Sequence, residues 1–333
     1  MKLLNNFVLA AFIIAACSTV SISQNAYRIS APYTYKNLTI FLIHGKDSTT
    51  KKNIVTLQEA LKMGIFRVYE TSEVNELMVE NISKTYDVFI QSGDIVKGGK
   101  QDRVLAISII IPARSGRVSI EAFCVESGRW QKREGEDSQQ FSSSEERIVS
   151  KDLKLAANAA RSQQEVWGKV AEAQKKLSEN VGGDVTRNAS GTSLQLALEN
   201  RKVTATTNEY IRKLSSLVAG KPDVIGYAFA INGEINSADI YVSNHLFAKL
   251  WPRMLKAAAI EAVAEKNGAG MNAPAPKPAA IEGFISEAEK GRANERSTSG
   301  KSKVVTREND GNTMFEARDK SGVVVHRNYV KVN

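Results

Sequence analysis

Between Tyr33 and about Val125 the chain reads as short apolar or alternating runs separated by polar turns. Residues 38–43, 66–69, 77–80 and 86–90 are rich in β-branched and aromatic side chains, as strands are. Residues 104–111 and 118–125 continue the pattern, and the turn residues 112–116 between them predict a hairpin. Residues 55–63 read as a short helix. The period then changes. Residues 131–144 are polar and read as a loop. Residues 151–180 carry Leu155, Ala159, Val166, Val170 and Leu177 at helical spacing, and Gly182-Gly183 supplies a stop. Residues 207–218 predict a second helix, closed by Gly220 and Pro222. Residues 224–231 and 234–242 flank Asn232-Gly233, the dipeptide that tolerates the positive φ of a type I′ hairpin turn. Ser243 can cap a following helix, in which Pro252 either starts a second segment or makes a kink.

This order predicts an α+β fold: an antiparallel, β-rich N-terminal half, a helical segment, a β-hairpin and a C-terminal helix. The expected partition is a signal peptide at 1–23, an α+β domain at 24–266, a flexible Ala/Pro/Gly linker at 267–280 and a small C-terminal tail region at 281–333. Within the tail, residues 304–332 allow a hairpin.

Composition adds a core and a charge. Of 333 residues 42% are hydrophobic, enough to bury a sizeable interior. The 45 Lys+Arg against 36 Asp+Glu leave a formal charge of +9, which favours anionic partners. No Lys/Arg block of the kind found in nucleic-acid tails occurs, so nucleic acid is not an expected partner. The N-terminus settles the expected location. Lys2 precedes the apolar run 7–16, too short to span a bilayer and shaped as a signal peptide. The protein is therefore expected outside the cytoplasm, as a periplasmic, outer-membrane lipoprotein or secreted chain. Ile14-Ala-Ala-Cys17 reads as a lipobox that would lipidate Cys17, the expected route to a membrane. Ser21-Ile-Ser23 before Gln24 reads equally well as an ordinary cleavage site. Either exit leaves Cys124 as the sole thiol, so no intrachain disulfide is expected.

The stretch Gly93–Val104, GDIVKGGKQDRV, is the first candidate for chemistry. A phosphate loop needs G-x-x-x-x-G-K-[ST]; here the frame begins at Asp94, and Gln101 stands where the hydroxyl residue should be. What remains is a glycine-rich loop with Lys100 and Arg103 beside it, which taken alone reads as a turn feeding the next strand. The strand ending in His44-Gly45 looks like an oxyanion strand, but the nucleophile elbow G-x-S-x-G is missing. His44, His245 and His326 form no zinc motif, so neither a metal nor a cofactor is assigned. Cys124 reads as a buried strand cysteine before a nucleophile. Cys124-Val-Glu126-Ser-Gly-Arg129-Trp130 puts a carboxylate, a guanidinium and an indole at one strand end. Such a set can hold a planar or anionic ligand, or cover the core with an ion pair.

Together GDIVKGGKQDRV, IPARSGRVSIEAFCVESGRW, VWGKV, GYAFAINGEI and LFAKLWPRML, in that order, resemble the ARG- and rhodanese-phosphatase-superfamily-associated protein domain, ARG standing for ADP-ribosylglycohydrolase. The resemblance spans roughly residues 33–266. It implies genomic company with ADP-ribose-processing proteins and no established activity. Family members often carry Glu-Glu-Leu-type residues where this chain has Asp94-Ile95. Matched residue by residue, the resemblance assigns Gly98, Gly99, Lys100, Gln101, Asp102, Arg103, Glu126, Arg129 and Trp130 to a shared motif. The two halves of that motif flank one expected hairpin, whose ends would converge at a sheet rim. Two functions follow as expectations. The rim binds, or hydrolyses, a small anionic phosphorylated or ADP-ribose-like ligand; or the protein is a non-catalytic envelope surface or assembly protein whose motif is a salt-bridge network.

Overall fold

The computed structural model describes residues 27–47, 53–148, 150–270, 273–297 and 303–332. The expected signal peptide, with Cys17, lies outside them. In chain order the elements are β1 (Arg28–Ile29), β2 (Tyr33–Tyr35), β3 (Leu38–His44), β4 (Ile54–Thr56), α1 (Leu57–Lys62), β5 (Phe66–Tyr69), β6 (Glu76–Asn81) and β7 (Asp87–Ile90). Then come β8 (Asp94–Gly98), β9 (Arg103–Leu105), β10 (Ile109–Ile111), β11 (Gly116–Cys124), β12 (Phe141–Arg147), α2 (Lys151–Leu155) and α3 (Gln163–Val181). After them follow α4 (Leu194–Leu198), α5 (Arg201–Leu214), β13 (Val224–Ile231), β14 (Glu234–Tyr241) and α6 (Asn244–Ala264). The chain continues through α7 (Pro278–Glu289), β15 (Arg292–Ser297), β16 (Lys303–Asn309), β17 (Asn312–Arg318) and β18 (Val324–Lys331). Helices beside sheets that are antiparallel apart from the parallel β4–β7 pair make the fold α+β, as the pattern predicts.

Three sheets are built among the described residues. The largest runs β1-β3-β13-β14-β18-β17-β16-β15, with β2 on β3; a second runs β12-β8-β9-β11-β6-β5; a third runs β10-β7-β4. Helix α6 lies against β13 of the large sheet and also meets α3, α5, β4 and β12. It is apolar on nearly every side, with Leu246, Phe247, Leu250, Trp251, Met254 and Leu255 all buried, so it forms the middle of the main core. Ser243 caps it by accepting from Leu246 N–H, and Pro252 stands inside the uninterrupted helix. Helix α7 covers the opposite face of the large sheet, where Ile281, Phe284 and Ile285 pack with Phe41, Ile43, Met314 and Tyr329.

Several expectations change. The run 104–111 is not one strand. It divides into β9, which pairs with β11, and β10, which pairs with β7 in a different sheet, so the expected hairpin survives only as the β9–β11 pair. The polar segment 131–144 contains the start of β12. The helix expected over 151–180 is broken: α2 widens into a π-helical turn at Ala156–Ala160, and Arg161 takes a left-handed conformation (φ 55°) before α3 begins. The tail set apart at 281–333 forms α7 and four strands of the large sheet, with β18 hydrogen-bonded between β14 and β17. Polar residues of these strands, such as Thr313, Glu316 and Asn328, are buried by strand pairing and ion pairs, and this hides the strand pattern. In the expected linker, Gly270 and Ala273 lie close against the Asn232-Gly233 turn.

Candidate functional site

The loop between β8 and β9 is built by its glycines. Gly98 and Gly99 have φ of 120° and 56°, conformations that L side chains rarely adopt. The space beside them is already filled by protein. A Cβ on Gly99 would lie 2.3 Å from Phe141 Cζ and 2.7 Å from Glu70 Oε2, and one on Gly98 would lie 3.0 Å from the Gln140 carbonyl. These glycines therefore serve the turn and its packing against β12.

Register brings the two halves of the motif together. Arg103 at the start of β9 lies opposite Cys124 at the end of β11. Lys100 Nζ and the Arg103 guanidinium sit over the Trp130 ring, 5.1 and 5.6 Å from its centroid. Trp130 itself is 45% exposed, so the indole roofs two cations and faces solvent. Gln101 donates to the Glu126 carbonyl at 3.2 Å, a carbonyl that also accepts from Trp167 Nε1 at 2.9 Å.

Beneath the indole the charges pair with one another. Arg103, fully buried, reaches Glu70 at 3.3 Å and the thiol of Cys124. Lys100 donates through its backbone N–H to Glu70 Oε2 at 2.9 Å and through Nζ to Ser72 Oγ at 2.8 Å. Asp102, also fully buried, accepts from Gly98 N–H at 3.2 Å, from Ser193 Oγ at 3.3 Å and from Arg133 Nη2 at 2.6 and 2.7 Å. Glu126 accepts from Arg129 Nε and, at 3.5 Å, from Arg133 Nη1. Glu136 joins Arg133 at 2.8 Å. Three guanidinium groups (Arg103, Arg129 and Arg133) thus pair with four carboxylates (Glu70, Asp102, Glu126 and Glu136), while the Lys100 ammonium rests on Ser72 and Trp130. Glu70, Arg133 and Glu136 carried no motif signal, because they come from a separate strand end and a polar loop.

Burial sets the protonation balance. It pushes the carboxyls of Asp102 and Glu126 above their ordinary range, against the opposing pull of Arg133 on both and of Arg129 on Glu126; Asp102 adds a further upward push on Glu126. Burial likewise drives the Cys124 thiol up to about 11, which favours the neutral thiol of a packed strand residue.

The network borders open space. A cleft of about 610 Å³ is lined by Arg129, Lys132, Arg133, Ser190, Gly191 and Thr192, among others. A second, of about 640 Å³, shares Arg133, Glu134 and Ala189 with it and adds Lys97 and Gln195. Two buried donors of the network make no hydrogen bond: Arg103 Nε, and Arg129 Nη2, which stands 3.9 Å from Asp102 Oδ1. Among the described residues no group of three or more His, Cys, Asp or Glu side chains is placed to hold a metal ion. No helix among them is long and apolar enough to cross a membrane.

A family model, the ARG and Rhodanese-Phosphatase-superfamily-associated Protein domain, matches residues 26–333. The match extends past residue 266, where the sequence resemblance had been drawn to end, and includes the strands of the C-terminal segment. No curated protein and no solved structure matches the chain.

Proposed function

The chain belongs to the ARG and rhodanese-phosphatase-superfamily-associated protein domain family, and from that premise we propose that it binds a small anion, phosphorylated or ADP-ribose-like, in the cleft beside Arg129. The observation that carries this reading is Arg129, whose guanidinium has a buried nitrogen without a hydrogen bond and whose side chain lines a cleft with Lys132, Arg133, Thr192 and Ser190. An oxyanion there would complete the hydrogen bonding of a guanidinium already oriented by Glu126. The basic formal charge of the whole chain supports attraction of such a ligand. Binding outside the cytoplasm follows from the N-terminal signal-peptide pattern, and mass spectrometry of the mature N-terminus separates lipidation at Cys17 from cleavage before Gln24.

The test is a thermal-shift screen of the protein with inorganic phosphate, sugar phosphates and ADP-ribose, because a ligand that binds only the folded state raises the melting temperature. Arg129→Ala is expected to weaken the binding found by about 1.5–3 kcal/mol, the scale of a charged hydrogen bond. Lys132→Ala, in the same cleft but outside the ion-pair network, is the companion that leaves Glu126 its partner. If no anion shifts the melt, the reading is wrong. The pairing of three arginines with four carboxylates favours a second reading in that case, a non-catalytic surface or assembly protein whose network is structural.

A further inference from the structure

A second cluster lies apart from the cleft and shares no residue with it. It sits where β18 and β14 of the large sheet meet the links flanking β7 and β10. His326 on β18 is 1% exposed and stacks on the Tyr241 ring, with centroids 4.7 Å apart. Its Nε2 is 2.9 Å from Asp239 Oδ1 and its Nδ1 is 3.0 Å from Ser108 Oγ. Asp239 is buried and also accepts from Asn328 Nδ2 at 3.0 Å, while its Oδ2 makes no hydrogen bond. Burial alone would raise its carboxyl, but the hydrogen bond from His326 and the fields of Lys154, His326 and Arg147 outweigh burial and hold it below its ordinary range.

The tautomer follows from these partners. An ionised Asp239 only accepts, so His326 Nε2 must carry hydrogen toward it. In the neutral ring Nδ1 is then the acceptor, and it faces Ser108. Ser108 Oγ already accepts from Ser92 N–H at 3.0 Å, so its own hydrogen is free for Nδ1. Ser108 and Ser92 are only partly buried, whereas His326 and Asp239 are sealed. The π-helical turn after α2, an irregularity often found at functional sites, delivers Asn158, whose amide donates to Ser92 Oγ at 3.2 Å.

We propose that Ser108 is a nucleophile for acyl transfer, with His326 as its general base and Asp239 as the group that orients the imidazole. The substrate class is a carboxylic ester. Ser108 Oγ would bond to the carbonyl carbon as its proton passes to His326 Nδ1. The ester C–O bond would then break, and the leaving alcohol would take that proton. Water, deprotonated by the same nitrogen, would release the acid and restore the serine.

The test uses the full chain and a fluorophosphonate, which forms a P–O bond to an activated serine with loss of fluoride. Peptide mapping is expected to place the label on Ser108 in the native protein. Ser108→Ala should abolish it, and His326→Gln should slow it at least tenfold. Because His326 is buried, native protein is also compared with heat-unfolded protein, in which the relay does not exist and labelling should vanish. Absence of label on native Ser108 overturns the proposal. So does labelling that is equal in the unfolded chain, or unchanged in a folded His326→Gln variant.

Discussion

Glu261 shows how a single side chain carries pH dependence in this fold. It projects from α6 to the wall of a cavity of about 450 Å³, where Oε1 accepts from Asn236 Nδ2 and Lys151 N–H, both at 2.9 Å. Burial raises its carboxyl above the ordinary 4.5, with Lys154 pulling the other way. Between 4.5 and that higher folded value the native state keeps a proton that the unfolded chain has lost. The stabilisation is therefore complete below the unfolded value and is lost as pH rises through the folded one. Glu261→Gln should flatten the fall of melting temperature with rising pH across this window. An unchanged slope over roughly pH 4 to 7, where carboxyl groups titrate, would show that other groups set it. At this scale little of the chemistry was legible in the sequence. Ser108, Asp239 and His326 are far apart along the chain, and none stands in a recognisable spacing. The motif residues Asp102, Glu126 and Arg129 were legible through family resemblance, but their partner Arg133 was not, because one arginine in a polar loop has no periodicity to mark it.

Elements were legible wherever one periodicity ruled. Phe66–Tyr69 is a strand over the residues the pattern indicated, and Asn232 and Gly233 take the positive φ, 54° and 83°, that their turn demands. The reading failed where polar contacts override periodicity. The run 104–111 looks continuous, yet it breaks where Ser108 turns to His326, and its two halves join different sheets. The start of β12, residues 141–144, looked like loop because Ser142, Ser143 and Ser144 are polar; Ser144 is buried, and its carbonyl accepts from Arg253 Nη2 at 3.1 Å. The β8–β9 turn offers a test of element packing. Gly99→Ala forces a side chain into the left-handed region and against Phe141. It should cost about 2–4 kcal/mol, from left-handed strain plus overpacking, read as a shifted denaturation midpoint. A neutral substitution would mean the loop can move off β12.

At the scale of the molecule, the C-terminal strands are structural members. β18 fills the place between β14 and β17, and Met314 and Tyr329 pack under α7. A chain ending at Gly291 should lose cooperative thermal unfolding, since β14 loses its partner strand and α7 loses Met314 and Tyr329 beneath it. A sharp melt from that shortened chain would make the segment dispensable. Sequence reading missed this because strands that bury Asn, Thr and Glu look like a polar tail. The same topology also orders events in time. β3, with Leu38, Ile40, Phe41, Leu42 and Ile43 all apolar, pairs with β13 from the far half of the chain, and β14 waits for β18. Such distant pairings fold slowly. During synthesis β3 can pair at once with β1 and β2, but the edge that belongs to β13 stays unpaired until the far half of the chain is made, a segment open to aggregation. A chaperone that holds extended apolar chain would find its binding site there, at residues 38–43.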